Sequence, residues 1–179
     1  NPPTLKLFDI AGRRRDEVEF HPAYHELMGY LKRHGVAAGP WARPGPGAHV
    51  KRAALFMMCA EIEDGTLCPT TMTYAVVPAL ARDAAIAAEW LPRIYAADYD
   101  PRFIPAAGKR GVTLGMGMTE KQGGSDLRSN TTTAQPLGNR EYRIVGHKWF
   151  FSAPMSDAFL ILAQAPGGLS CFLLPRFTP

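Results

Sequence analysis

A chain of 179 residues with 46% apolar and 20% charged residues is long enough for one domain, or for one domain and part of a second. That composition excludes intrinsic disorder, and no apolar run reaches membrane-spanning length. The net charge is +4, but its densest cluster, Arg13-Arg14-Arg15, is followed at once by Asp16, Glu17 and Glu19, so it reads as a solvated loop before a helix. Three cysteines (Cys59, Cys68, Cys171) without C-x-x-C spacing argue against a zinc site or disulfide framework and fit a reducing cytoplasm. The start, Asn1-Pro2-Pro3-Thr4, has neither Met nor a signal-peptide layout and reads as an interior cut of a longer gene.

Up to about Pro105 the pattern is helical. His21 to His34 places Tyr24, Leu27, Met28 and Leu31 at three-to-four spacing, with Gly35 as a stop. A Pro- and Gly-rich loop, 39–47, follows. Ala48 to Glu63 is a second helix, with Val50, Ala54, Met57, Met58 and Ile62 on a broad apolar stripe that is expected to pack in the core. Thr70 to Ala81 and Asp83 to Ala97 are two more helices, with Pro78 a kink in the former and Pro92 a break in the latter.

After Gly111 the pattern changes to strands. Tyr142–Val145 follows the turn signal Gly138-Asn139, and Lys148–Phe151 follows Gly146. Phe159–Ala163 and Leu169–Leu174 are joined through Pro166-Gly167-Gly168. The expected fold class is α+β: an all-α part over 1–110, then an incomplete antiparallel β-barrel or sandwich over 111–179. Because the chain closes on an apolar strand, whose edge soluble proteins avoid leaving unpaired, further chain is expected downstream.

The stretch with the most chemical content is Gly115-Met116-Gly117-Met118-Thr119-Glu120-Lys121-Gln122-Gly123-Gly124-Ser125-Asp126. Its glycines admit a close ligand, and Thr and Ser hydroxyls beside free amides suit an anionic or heteroaromatic group. It is neither a Walker loop nor a dinucleotide fingerprint.

This run resembles the T-E-P-x-[AG]-G-S-D signature of acyl-CoA dehydrogenases. Gly146-His147-Lys148-Trp149-Phe150-Phe151-Ser152 resembles that family's G-x-K-x-[WF]-x-[ST] element. Lys121-Gln122-Gly123, with Phe150-Phe151-Ser152, resembles the AidB branch in particular. The resemblance covers essentially the whole chain and implies FAD as cofactor. Among the residues it implies for cofactor binding are Met116, Gly117, Met118 and Thr119, whose backbone lines the isoalloxazine. The Thr119 hydroxyl bonds the pyrimidine side and Ser125 the pyrophosphate, within a loop that also includes Glu120, Lys121, Gln122, Gly123 and Gly124. Phe150 covers one ring face, flanked by Phe151, and Ser152 stands near N5.

In the family a carboxylate removes the α-proton of an acyl-CoA while the flavin accepts the β-hydride, and that carboxylate lies in a C-terminal helical domain outside this sequence. No catalytic residue is therefore expected here, and this chain alone is expected to be silent. Glu120 is read as structural, bonding neighbouring backbone, rather than as a base. Two readings of the parent stay open. One is an FAD-dependent dehydrogenase of acyl-CoA thioesters. The other is an AidB-type flavoprotein protecting double-stranded DNA in the alkylation response, through the C-terminal region. The resemblance also implies a cytoplasmic homotetramer.

Other residues carry plainer readings. His21 and His25 share a helix face but lack the rest of a metal motif. His147 belongs to no nucleophile elbow, and Trp149 alternates with Phe150 and is expected in the core.

Overall fold

The computed structural model describes residues 2–178. It opens on a hairpin, β1 (Thr4–Phe8) and β2 (Arg14–Glu19), antiparallel with Leu5 opposite Val18. This corrects the reading of the arginine triplet as loop and of 1–110 as all-α. Asp9 turns the chain by accepting the Ala11 and Arg13 amides, and Gly12 takes φ +76. A Lys6–Glu19 ion pair at 2.7 Å crosses the strands, so charge pairing supports β2, whose run Arg14–Glu19 has no apolar alternation to announce it.

Six helices follow: α1 (Pro22–Arg33), α2 (Gly39–Ala42), α3 (Ala48–Ala60), α4 (Leu67–Ala75), α5 (Val77–Leu80) and α6 (Ala84–Tyr95). The expected helix over 70–81 is interrupted at Val76, with Pro78 in the first turn of α5, where its missing N–H costs nothing. Pro92, by contrast, is carried inside α6 without breaking it. Asp83 caps α6 by accepting the Ala85 and Ile86 amides, both at 3.1 Å.

The largest departure concerns α3. Its inner face sets Leu55, Phe56 and Cys59 against Leu31, Val36 and Leu67. Val50, Met57, Met58 and Ile62 are instead 67–82% exposed, so Met57 and Met58 are not core residues. Replacing either by Ser is expected to change the urea-unfolding free energy by less than about 0.5 kcal/mol. Met28→Ala, in a buried residue, is expected to lose about 2–5 kcal/mol. A core-sized loss at Met57 would mean that the stripe is covered.

The sheet contains β3 (Leu114–Gly117), β4 (Thr133–Gly138), β5 (Glu141–Val145), β6 (Ala158–Ala165) and β7 (Gly168–Pro175). It is mixed rather than antiparallel: β6 pairs antiparallel with β7 along its whole length, but parallel with β3 and, through Thr133 and Gln164, with β4. The strand path β3-β6-β4-β5 is open, so the barrel expectation is not met among the described residues. The parallel pairs arise because residues 118–157 cross over between β3 and β6, a connection that local turn signals do not reveal. The β4–β5 hairpin turns at Asn139 and Arg140, φ 49 and 64, as the Gly138-Asn139 signal implied.

Helices and sheet share one core. Val76, Val77, Leu80, Trp90 and Ile94 pack on Val112, Leu114, Ala158 and Leu160. Buried Thr73 fastens the layers by accepting the Leu114 amide at 3.0 Å, and buried Lys32 donates to the carbonyls of Ile94 and Val112. No helix is long and apolar enough to cross a membrane among the described residues.

Candidate functional site

β3 delivers the chain into the glycine-rich loop at 118–126, and residues 146–152 lie beside it. The two motifs are tied by backbone and by charge. The Trp149 amide donates to the Thr119 carbonyl at 2.8 Å, and Glu120 bridges to Lys148. The Glu120 carboxylate is buried and accepts the Lys148 ammonium at 2.8 Å, the Thr131 amide and hydroxyl at 2.6 and 2.9 Å, and the Thr132 amide at 3.0 Å. Burial alone would raise its pKa. The Lys148 ammonium and the threonine amides outweigh this and hold it well below the ordinary carboxylate range. An ionised carboxylate so engaged is a brace between segments, as the structural reading of Glu120 expected.

Around this brace the predicted residues separate into two groups. Met116 and Met118 turn their side chains toward the core, and the Met118 carbonyl accepts Asn130 Nδ2 at 2.9 Å. Phe151 packs inward on Phe159, ring centroids 4.5 Å apart. A Cβ on Gly117 would stand 2.2 Å from the Phe151 ring, and one on Gly124 would stand 2.6 Å from Thr119 Oγ1. Both glycines therefore permit close packing. Gln122 donates to the Ser129 carbonyl at 3.1 Å. Lys121, Gly123, Ser125, Phe150 and Ser152 are exposed, and Thr119 is half-buried between the groups.

Residues 148–151 are not a strand; they form irregular backbone in which Phe150 has φ 54 and is 77% exposed. Trp149, expected in the core, is 49% exposed. Alternation fails because the left-handed residue re-aims the chain, so both aromatics face outward beside the loop. A protruding ring, nearby hydroxyls and a bare glycine backbone together fit a flat heteroaromatic group.

The histidines take ordinary roles. His21 Nδ1 accepts the Ala23 amide and caps α1, and His25 Nδ1 bonds the Tyr99 hydroxyl at 2.9 Å. Sequence reasoning missed two features. One is Lys148 as the partner of Glu120. The other is a second buried pair, Lys109–Asp157 at 2.6 Å, where Asp157 also accepts the Thr113 amide at 2.9 Å. Lys148 stood inside a recognised motif; nothing in the sequence signals the pairing of Lys109 with Asp157.

Comparison with solved structures defines the class. The chain superposes on Caenorhabditis elegans ACDH-11 in complex with C11-CoA with TM-score 0.83 and 26% identity, over 98% of this chain and 31% of that one. Against apo Bd2924 the TM-score is 0.77 at 28% identity, over 99% of this chain and 36% of that one. The family model of the adaptive response protein AidB N-terminal domain matches residues 1–101, and that of the acyl-CoA dehydrogenase middle domain matches 115–179. The chain belongs to the acyl-CoA dehydrogenase family, in its AidB branch. It is 52% identical over its whole length to AidB of Escherichia coli (strain K12), named as a candidate acyl-CoA dehydrogenase, and covers 34% of that protein. The chain thus spans about a third of the length of the curated relatives it matches.

Proposed function

We propose that this chain supplies the flavin-end binding site of an FAD-dependent acyl-CoA dehydrogenase-like protein, with the hairpin and helices of 1–110 as its N-terminal part and 111–179 as its flavin-binding part. The observation that carries this reading is the Glu120–Lys148 brace. It joins the two family motifs, and Ser125, Phe150 and Ser152 on them are exposed while Thr119 is half-buried, which supports a shared ligand surface there. Thr119 and the backbone of 116–119 orient the polar edge of the ring, Phe150 covers a face, Ser152 stands near its reactive edge and Ser125 takes the pyrophosphate. When bound, FAD supplies the redox chemistry, and these residues bind and orient it. The acyl-CoA substrate class is supported by the acyl-CoA complex of ACDH-11. No base is assigned to this chain, since Glu120 is engaged by Lys148.

The test is a visible absorption spectrum after FAD is added and free dye removed. A retained flavin band, weakened about tenfold in affinity by Thr119→Ala or Ser125→Ala, is the expected result, since each substitution removes about one hydrogen bond to the ligand. Unchanged retention in the double variant would overturn the assignment.

The match to the adaptive response protein AidB N-terminal domain favours a second reading, an adaptive-response flavoprotein, for which we propose double-stranded DNA as the partner. Steeply salt-dependent DNA binding by the full-length protein, without turnover of acyl-CoA, selects it.

A further inference from the structure

On the helical side, a cavity of about 250 Å³ lies between the turn after α1 and the end of α6. Lys32, Arg33 and Arg43 line it, with the backbone of Gly35 and Gly39, and no carboxylate does. None of the three cations takes part in an ion pair among the described residues. Another cavity, of about 180 Å³ beneath the hairpin, has Glu17, Glu19, Asp100 and Asp157 in its lining together with Arg102, Lys109 and Arg176, and each of these carboxylates is paired with a cation.

The positively lined cavity is built rather than incidental. Lys32 is buried, and its ammonium is held by the carbonyls of Ile94 and Val112 at 3.0 and 3.2 Å, which leaves one N–H free. Burial pushes its pKa down to about 8 against the opposing pull of Asp157 and Asp98, so it still carries its charge at neutral pH. Ala37 and Ala38 are buried in the same wall, and their amides find no acceptor among the described residues. Gly35, at φ +77, lies so near Gly39 that a Cβ would stand 3.1 Å from its Cα, which keeps this wall bare backbone. Arg33, whose guanidinium rests over Gly29, and Arg43 are exposed and adjust by rotamer change.

We propose that this cavity binds a phosphate-bearing small molecule, with Lys32 and the 35–39 backbone as its floor and Arg33 and Arg43 as its outer contacts. The site shares no residue with the flavin loop and does not rest on the flavin reading.

Titration of the protein with inorganic pyrophosphate at low salt tests it. In a Ser125→Ala background, where the flavin loop has lost its pyrophosphate contact, one saturable site is expected by calorimetry, weakened about tenfold by adding Arg33→Ala or Arg43→Ala and about a hundredfold by adding both. A site present in the parent and lost in Ser125→Ala belongs to the flavin loop and overturns the proposal. The amide resonances of Ala37 and Ala38 shift during the titration, a readout that does not depend on any variant. Absence of saturation, full affinity with both arginines replaced, displacement by equimolar chloride, or unmoved Ala37 and Ala38 amides each overturn the proposal.

Discussion

Glu120→Ala is expected to destabilise the protein by about 3–5 kcal/mol in urea titration, the range for breaking a buried ion pair from one side. The Lys148 side chain, 8% exposed, would keep its charge without a partner, and the Thr131 and Thr132 amides would lose their acceptor. Adding Lys148→Met should recover part of the loss, because the stranded ammonium disappears while the amides remain unpaired. The pH dependence has a definite sign. The folded-state pKa of Glu120 is depressed, so its contribution is present above the ordinary value of 4.5 and is lost as pH falls below it. The Glu120→Ala variant lacks that part of the acid slope. A cost under about 1 kcal/mol would remove the carboxylate as the brace between the motifs.

Lys109→Met acts at the other buried pair, where the side chains of Lys109 and Asp157 are 6% and 5% exposed. The expected loss is again about 3–5 kcal/mol at neutral pH. Here the pH dependence runs the other way. Burial raises the Asp157 pKa even with Lys109, Arg176 and the Thr113 amide opposing it, and removing the ammonium raises it further. A raised carboxylate contributes stability that is fully present below its unfolded value, near 3.8, and is lost as pH rises through the folded value. The deficit of Lys109→Met relative to the parent should therefore be smallest near pH 4 and grow toward neutrality, and Asp157→Asn in the same chain should reduce it. A deficit independent of pH would show that Lys109 acts through packing alone.

The two pairs have different reach. Glu120–Lys148 closes 28 residues of chain and holds the loop against the aromatic segment. Lys109–Asp157 sits where the chain enters β3 and β6, with Asp157 accepting the Thr113 amide and its own amide donating to the Thr113 carbonyl at 2.8 Å. One brace sets the candidate site; the other sets the start of the parallel strands that carry it.

Much of this was legible without coordinates. Periodicity marked α1, α3 and α6, and turn residues marked the β4–β5 and β6–β7 hairpins, because those signals are local. The two family motifs, and Glu120 as a structural carboxylate, were equally readable, since they rest on residue type and spacing. Tertiary structure decided the rest. The hairpin at 4–19 is supported by a cross-strand charge pair, Lys6–Glu19, and its second strand has no alternation to announce it. The parallel pairing of β3 with β6 depends on a crossover of some forty residues. An apolar stripe such as Val50–Met57–Met58 shows that a face is apolar, not that anything in the same chain covers it. Trp149 and Phe150 turn outward because one left-handed residue cancels the strand period. The partners of Lys148 and Lys109 lie 28 and 48 residues away, and a charge's partner across such a distance is chosen by packing.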